Sequence, residues 1–200
     1  MSEKTLLYSL STLVQACAAL VVFVGTLALL IPAIPAHADL SESDGLIGIS
    51  AREVGWIVRF PREGYTLLAE RDRPDGRAHY YLFSHVPTGL NVSLRIEPAG
   101  TCTTAEACRE AYWRDRSPHL ATAELLDRSE RNGFALLEFA VKLQVPQLAG
   151  RTVEQLHFSG HLVRDGYWVD LHLSMMPYTQ SDRQVFLNFV DAITFVPKPR

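Results

Sequence analysis

The sequence predicts an α+β fold in which antiparallel strands carry two main helices laid over them. Three observations point there. Apolar and polar residues alternate in short segments joined by Gly- and Pro-bearing turns, as neighbouring antiparallel strands require. Thr103 and Glu106 stand at capping-box spacing before a run to Arg116, where Ser117-Pro118 closes a helix. Near the C-terminus Val185, Phe186, Phe189 and Val190 form a stripe at helical spacing.

Residues 39–51 are polar and glycine-containing and read as a loose leader, which sets a flexible segment at 39–53 before the folded part. In Val54–Phe60 the side chains of Val54, Trp56, Val58 and Phe60 share one side, a half-buried strand. A turn at Pro61-Arg62-Glu63-Gly64 leads to a strand at Tyr65–Glu70, and the charged Arg71–Arg77 segment turns on Pro74-Asp75-Gly76. Strands follow at Ala78–His85 and Leu90–Glu97, the latter with Val92, Leu94 and Ile96 on one side. After the helix Thr104–Arg116, strands at Glu124–Glu130, Phe134–Val145, Val153–Arg164 and Tyr167–Met175 form a meander. Asn132-Gly133 and Asp165-Gly166 mark two of its turns. Pro177 ends it, a helix spans Ser181–Ala192, and Ile193–Val196 closes a single domain over 54–196.

The first 38 residues set the compartment. Lys4 begins the segment, Ala16–Ile34 is almost wholly apolar, and Ala36-His37-Ala38 fits the small-residue rule for cleavage before Asp39. The run also matches the ~20 residues that span a bilayer, so an uncleaved anchor is the alternative. Either way the domain is periplasmic or secreted, in the second case tethered to the inner membrane. The formal charge of −3, with both signs interspersed, argues against nucleic acid as a partner. Membrane contact is expected only through the N-terminal segment.

Cys102 and Cys108 are the cysteines beyond that segment, and an oxidising compartment favours a disulfide between them. The bridge would pin the start of the helix to the preceding strand, stabilising by roughly 2 kcal/mol or less for so short a loop. A metal pair or redox dithiol is the competing use; the spacing is not that of the usual redox motif.

The Asp165-Gly166 turn sets a register. Arg164 pairs with Tyr167, Val163 with Trp168, His161 with Asp170, Ser159 with His172 and His157 with Ser174. Leu156, Phe158, Leu162, Val169, Leu171 and Leu173 then line one face. The other carries His157, Ser159, His161, Asp170, His172 and Ser174, which on a one-sided sheet would meet water or a partner. His157 and His161 lie roughly 13 Å apart along one strand and cannot share an ion. His161 and Asp170 are opposed at about 5 Å between Cβ atoms, with His172 diagonal at roughly 7 Å. His161, Asp170 and His172 are therefore the candidate metal ligands, for zinc or copper. Glu138 is a possible fourth from the preceding strand. Ser174 with His157 or His172 and Asp170 spells a nucleophilic triad, but no strained nucleophile turn or oxyanion loop accompanies it. No catalytic residue is assigned.

Several of these features resemble the Mog1/PsbP-like group of domains. They are the Trp56–Pro61 entry, the Leu90–Glu97 strand before the helix, the Gly166-Tyr167-Trp168 strand start, and the ending Phe189-Val190-Asp191-Ala192-Ile193-Thr194-Phe195. The resemblance implies an α/β/α sandwich that binds partners or assists a larger complex. The expectation is thus an exported, non-enzymatic binding or accessory domain with a protein partner and no cofactor. The alternative is a metal- or small-ligand-binding protein that uses the histidine and aspartate face.

Overall fold

In the computed structural model, residues 39–198 are described, apart from 52, 74, 76, 120–121, 146–150 and 177. Residues 1–38, where an export segment is expected, the Pro74 and Gly76 turn positions and Pro177 lie outside the described residues. The elements below belong to the compact unit Pro35–Gln144 with Thr152–Arg200, save the end residues Val145 and Arg151.

The strands are β1 (Asp39–Ser43), β2 (Leu46–Ser50), β3 (Trp56–Pro61), β4 (Tyr65–Asp72), β5 (His79–His85) and β6 (Leu90–Pro98), followed by helix α1 (Ala105–Arg116). Then come β7 (Ala123–Arg131), β8 (Phe134–Val145), β9 (Arg151–Arg164) and β10 (Tyr167–Met175), helix α2 (Arg183–Ala192), and β11 (Thr194–Pro197). Single 3-10 turns at Ser117–His119 and Gln180–Asp182 flank the helices. One sheet runs β1-β2-β3-β11, the other β4-β5-β6-β10-β9-β8-β7. The coarse expectation of an antiparallel α+β fold with two short helices holds.

The expected hairpin register is present residue for residue, with His161 opposite Asp170 and Ser159 opposite His172. Asp165 (φ 50°) and Gly166 (φ 78°) take the left-handed conformations that a two-residue turn needs. The far side of β10 is covered by β6, which sets Arg95 opposite Asp170 and Leu94 opposite Leu171. That pairing joins strands on either side of α1 in the chain and has no local signal.

Three sequence expectations need correction. Residues 39–51 are not a loose leader: β1 and β2 form a hairpin through Asp44-Gly45, and β2 pairs with β3. Ile47 and Ile49 are buried there, which supplies the driving force. The N-cap of α1 is Thr104, not Thr103; its side chain accepts the Ala107 N–H, so Glu106 does not sit at the capping-box position. The C-terminal helix starts as a 3-10 turn, where Thr179 and Asp182 form the capping box.

The two faces of the large sheet meet different elements. Phe158 stacks on Phe186 of α2 at 5.0 Å. On that same side Phe60 of β3 meets Phe83 of β5 at 5.3 Å, joining the small sheet to the main core. Adjacent residues on a strand point oppositely, so Leu137, Phe139 and Val141 face the other way and pack with Tyr112 and Trp113 of α1. Trp56 is buried against Phe195, Trp113 against Phe139, and Trp168 lies beside His161, so all three tryptophans pack against rings.

Cys102 and Cys108 are bonded, as expected, and tie the second turn of α1 to the chain leaving β6. Replacing both with alanine is expected to lower stability by about 2 kcal/mol, read from urea unfolding of oxidised and variant protein. Equal midpoints would show that the bridge does not restrain the unfolded chain.

Candidate functional site

The polar face of the β9–β10 hairpin exists, but it is not a solvated surface. Helix α1 lies over it, and Ser159 and His161 are fully buried while Ser174 is nearly so. Local alternation shows which residues share a face; it does not show what covers that face.

Two small hydrogen-bonded groups make up the layer. His157 Nδ1 and His172 Nε2 share one proton at 2.9 Å, and the rings stack at 5.1 Å. Phe139 stacks on the other side of His157 at 4.9 Å. In the second group the indole N–H of Trp168 donates to His161 Nδ1 at 3.2 Å, which leaves the ring proton of neutral His161 on Nε2. Tyr112 of α1 packs on this ring at 4.9 Å. Arg95 donates to Asp170 Oδ2 at 3.1 Å, also meets Glu97 at 3.2 Å, and lies over the Trp168 ring. His161 Nε2 and Asp170 Oδ1 are buried without a hydrogen-bond partner in the described structure.

Burial dominates the electrostatics. Loss of hydration holds His157 and His161 down at about 3, and His172 down at about 4. Each histidine also repels other positive charge: His157 through His172, His161 through Arg109 and Arg95, His172 through Arg116. Asp170 is pushed up to about 6 by the same burial, against the pull of Arg95. The face therefore carries neutral imidazoles at ordinary pH.

His161, Asp170 and His172 are brought together on one face as the sequence indicates. One candidate ligand atom of each is engaged elsewhere, His161 Nδ1 with Trp168, His172 Nε2 with His157 and Asp170 Oδ2 with Arg95, while His161 Nε2 and Asp170 Oδ1 are not. Among the described residues no group of three His, Cys, Asp or Glu side chains is placed to hold a metal ion. Glu138 is on the opposite face. It accepts from Arg183 of α2 at 2.8 and 3.0 Å, while its neighbour Phe139 takes the place beside His157. Nor does a nucleophilic relay form, since the histidines beside Ser174 bond to one another.

A second site had no marker in the sequence beyond its turn residues. The β3–β4 turn, the β5–β6 turn and α2 enclose an open groove of about 510 Å³, lined among others by Glu63, Tyr65, His85, Pro87, Asn188 and Phe189. The two turns are tied by the Val86 N–H donating to the Gly64 carbonyl at 3.1 Å. Tyr65 packs between His85 at 4.5 Å and Phe189 at 5.6 Å. Gly64 has φ +77°, and a Cβ there would fall 2.4 Å from His85 Nε2. Gly64→Ala is expected to cost about 1–3 kcal/mol from the backbone conformation alone, measured by thermal unfolding. An unchanged melting temperature would mean that the two turns yield freely. Val86, between the lining residues His85 and Pro87, is 77% exposed, so apolar surface continues past the rim there; Leu68 of β4 is 52% exposed.

The fold and these two places define an antiparallel α+β domain with a disulfide-tied helix over a buried imidazole layer, and with an open groove. Comparison with solved structures finds similarity to the solution structure of a cyanobacterial PsbP, CyanoP, from Synechocystis sp. PCC 6803. The identity is 14%, the match covers 87% of this chain and 100% of that one, and the TM-score is 0.46. A crystal structure from Bacteroides thetaiotaomicron matches at 10% identity over 73% of this chain and 46% of that one, with a TM-score of 0.40. The first is a PsbP, one of the group whose element pattern the sequence resembles. No family model matches the chain, and no curated protein matches it.

Proposed function

We propose that the protein is an exported, non-enzymatic accessory domain that binds a protein partner at the groove between the β3–β4 turn, the β5–β6 turn and α2. The observation that carries the reading is the open groove beside exposed Val86. An exposed apolar rim around a concavity is the usual mark of a contact surface. The α/β/α layering belongs to the same reading, supported by α1 and α2 meeting opposite faces of the large sheet through Trp113 and Phe186. Export is supported by the Ala36-His37-Ala38 motif and by the Cys102–Cys108 bridge. Among the described residues no helix is long and apolar enough to cross a membrane.

Site-specific photo-crosslinking tests this reading. A benzophenone amino acid placed at Val86 or Leu68 of the full chain should give one discrete adduct in the exporting cell, and one at exposed Lys142 should not. Adducts of equal yield at all three positions, or at none, would remove the groove as a partner site.

Zinc or copper at His161, Asp170 and His172 is the second reading, favoured by the unpartnered His161 Nε2 and Asp170 Oδ1. It requires both histidines to leave their present hydrogen bonds. Isothermal titration of the metal-stripped protein, beside the His161→Ala/His172→Ala double variant, separates the two. Stoichiometric binding lost in the variant supports a metal; no heat removes it.

A further inference from the structure

The geometry points to a specific guest for the groove: the basic side chain, lysine or arginine, of an extended segment of the partner protein, with Glu63 as its counter-charge. This rests on the groove being the partner site.

Four observations lead there. Glu63 is the one Asp, Glu, Lys or Arg side chain among the described residues that line the groove. It is exposed, and among the described residues it has no ion-pair partner. The neighbouring cation, Arg62, is already engaged with Glu42 at 2.8 Å. The groove thus offers a free negative charge and no lining lysine or arginine to receive an anion.

The walls suit the stem of a long basic side chain. Tyr65, Phe189 and His85 present ring surface, and Pro87 adds an apolar edge. A lysine or arginine buries its methylenes along such surface while its charged end reaches an acid, and ring faces attract the cation directly. The imidazole is held in place by a hydrogen bond between His85 Nδ1 and Thr88 Oγ1 at 2.7 Å, and the Leu90 N–H donates to the same oxygen at 3.3 Å. The His85 ring lies against Gly64.

A protein segment, and not a free small cation, fits what lies outside. Val86 at the turn tip and Leu68 on β4 are exposed apolar side chains that a single amine would leave uncovered. β4 is also the terminal strand of the large sheet, so an extended chain can run beside it. The bulge between Leu67 and Ala69 turns Leu68 out of the regular ladder on that strand.

The test is isothermal titration of the full chain with two capped pentapeptides. One carries arginine between two phenylalanines; the other replaces arginine with citrulline, which keeps the shape and loses the charge. The arginine peptide should bind at least tenfold more tightly, and Glu63→Gln should erase that preference without changing the melting temperature. Equal affinity for the two peptides, no binding of either, or an undiminished preference in Glu63→Gln overturns the inference. The crosslink at Val86 tells its failure from that of the broader reading. An adduct that persists unchanged in Glu63→Gln keeps the groove as partner site and removes the cationic guest; no adduct at Val86 removes both.

Discussion

Acidification from pH 7 to 4.5 should destabilise the domain by about 5 kcal/mol net, a fall of roughly 10–20 °C in melting temperature. The histidines of the buried layer set the sign. His157, His161 and His172 are held at about 3, 3 and 4 when folded, against about 6.5 in the unfolded chain. Their contribution is fully present above the unfolded value and is lost as pH falls toward the folded values. Asp170 works the other way. Its folded value of about 6 lies above its ordinary 3.8, so its burial costs stability above pH 6 and that cost fades on acidification.

Three imidazoles outweigh one carboxyl. Each histidine loses roughly 2–3 kcal/mol by pH 4.5, while Asp170 returns about 2 kcal/mol. The charges around the layer add to the histidine side: Arg95 from β6, and Arg109 and Arg116 from α1, all disfavour a further positive charge there. Glu97 is the opposing acid. Melting curves from pH 8 to 4.5 measure the slope, and His157→Leu/His172→Leu should flatten it by more than half. A flat profile in the parent protein would mean that water reaches these rings.

Phe60→Ala carries the other large effect, an expected loss of about 3–5 kcal/mol. Phe60 is buried on β3 and touches Tyr65 at 5.8 Å, Phe83 at 5.3 Å and Phe189 at 5.4 Å. It therefore joins the small sheet, the large sheet and α2 at one point, directly beneath the groove. Truncation leaves a cavity that three separate elements must close, and collapse costs strain in each. Phe60→Leu fills most of the space and should recover more than half of the loss. Denaturant midpoints report both variants; a Phe60→Ala loss below about 1 kcal/mol would show that the sheets close without this ring.

Local signals were strong where a turn fixes the chain on both sides. Asp165-Gly166 determined a two-residue turn, and with it every cross-strand pair of β9 and β10. Asp44-Gly45 carries the same signal with φ 53° and 72°, yet the strands it joins are short and one is polar, so residues 39–51 read as a leader. The burial of Ile47 and Ile49 becomes visible only when β3 is there to pair with β2.

Glu138 shows where local reading stops. β8 and β9 are joined through Pro146–Gly150, a longer link than a two-residue turn, so no sequence rule fixed which face of β8 met His157. One residue of register exchanges Glu138 for Phe139. The structure puts the phenyl ring beside the imidazole and the carboxylate under Arg183.

The sequence by itself determined the antiparallel α+β plan, the positions of both helices and the set of residues sharing the β9–β10 polar face, and it favoured the Cys102–Cys108 bridge. Tertiary structure alone decided that α1 buries this face, that β6 brings Arg95 to Asp170, and that two turns meet α2 around a groove. Alternation and turn chemistry act over a few residues and record which way a side chain points. What it meets depends on contacts between elements far apart in the chain, where shape and burial over the whole core select the arrangement.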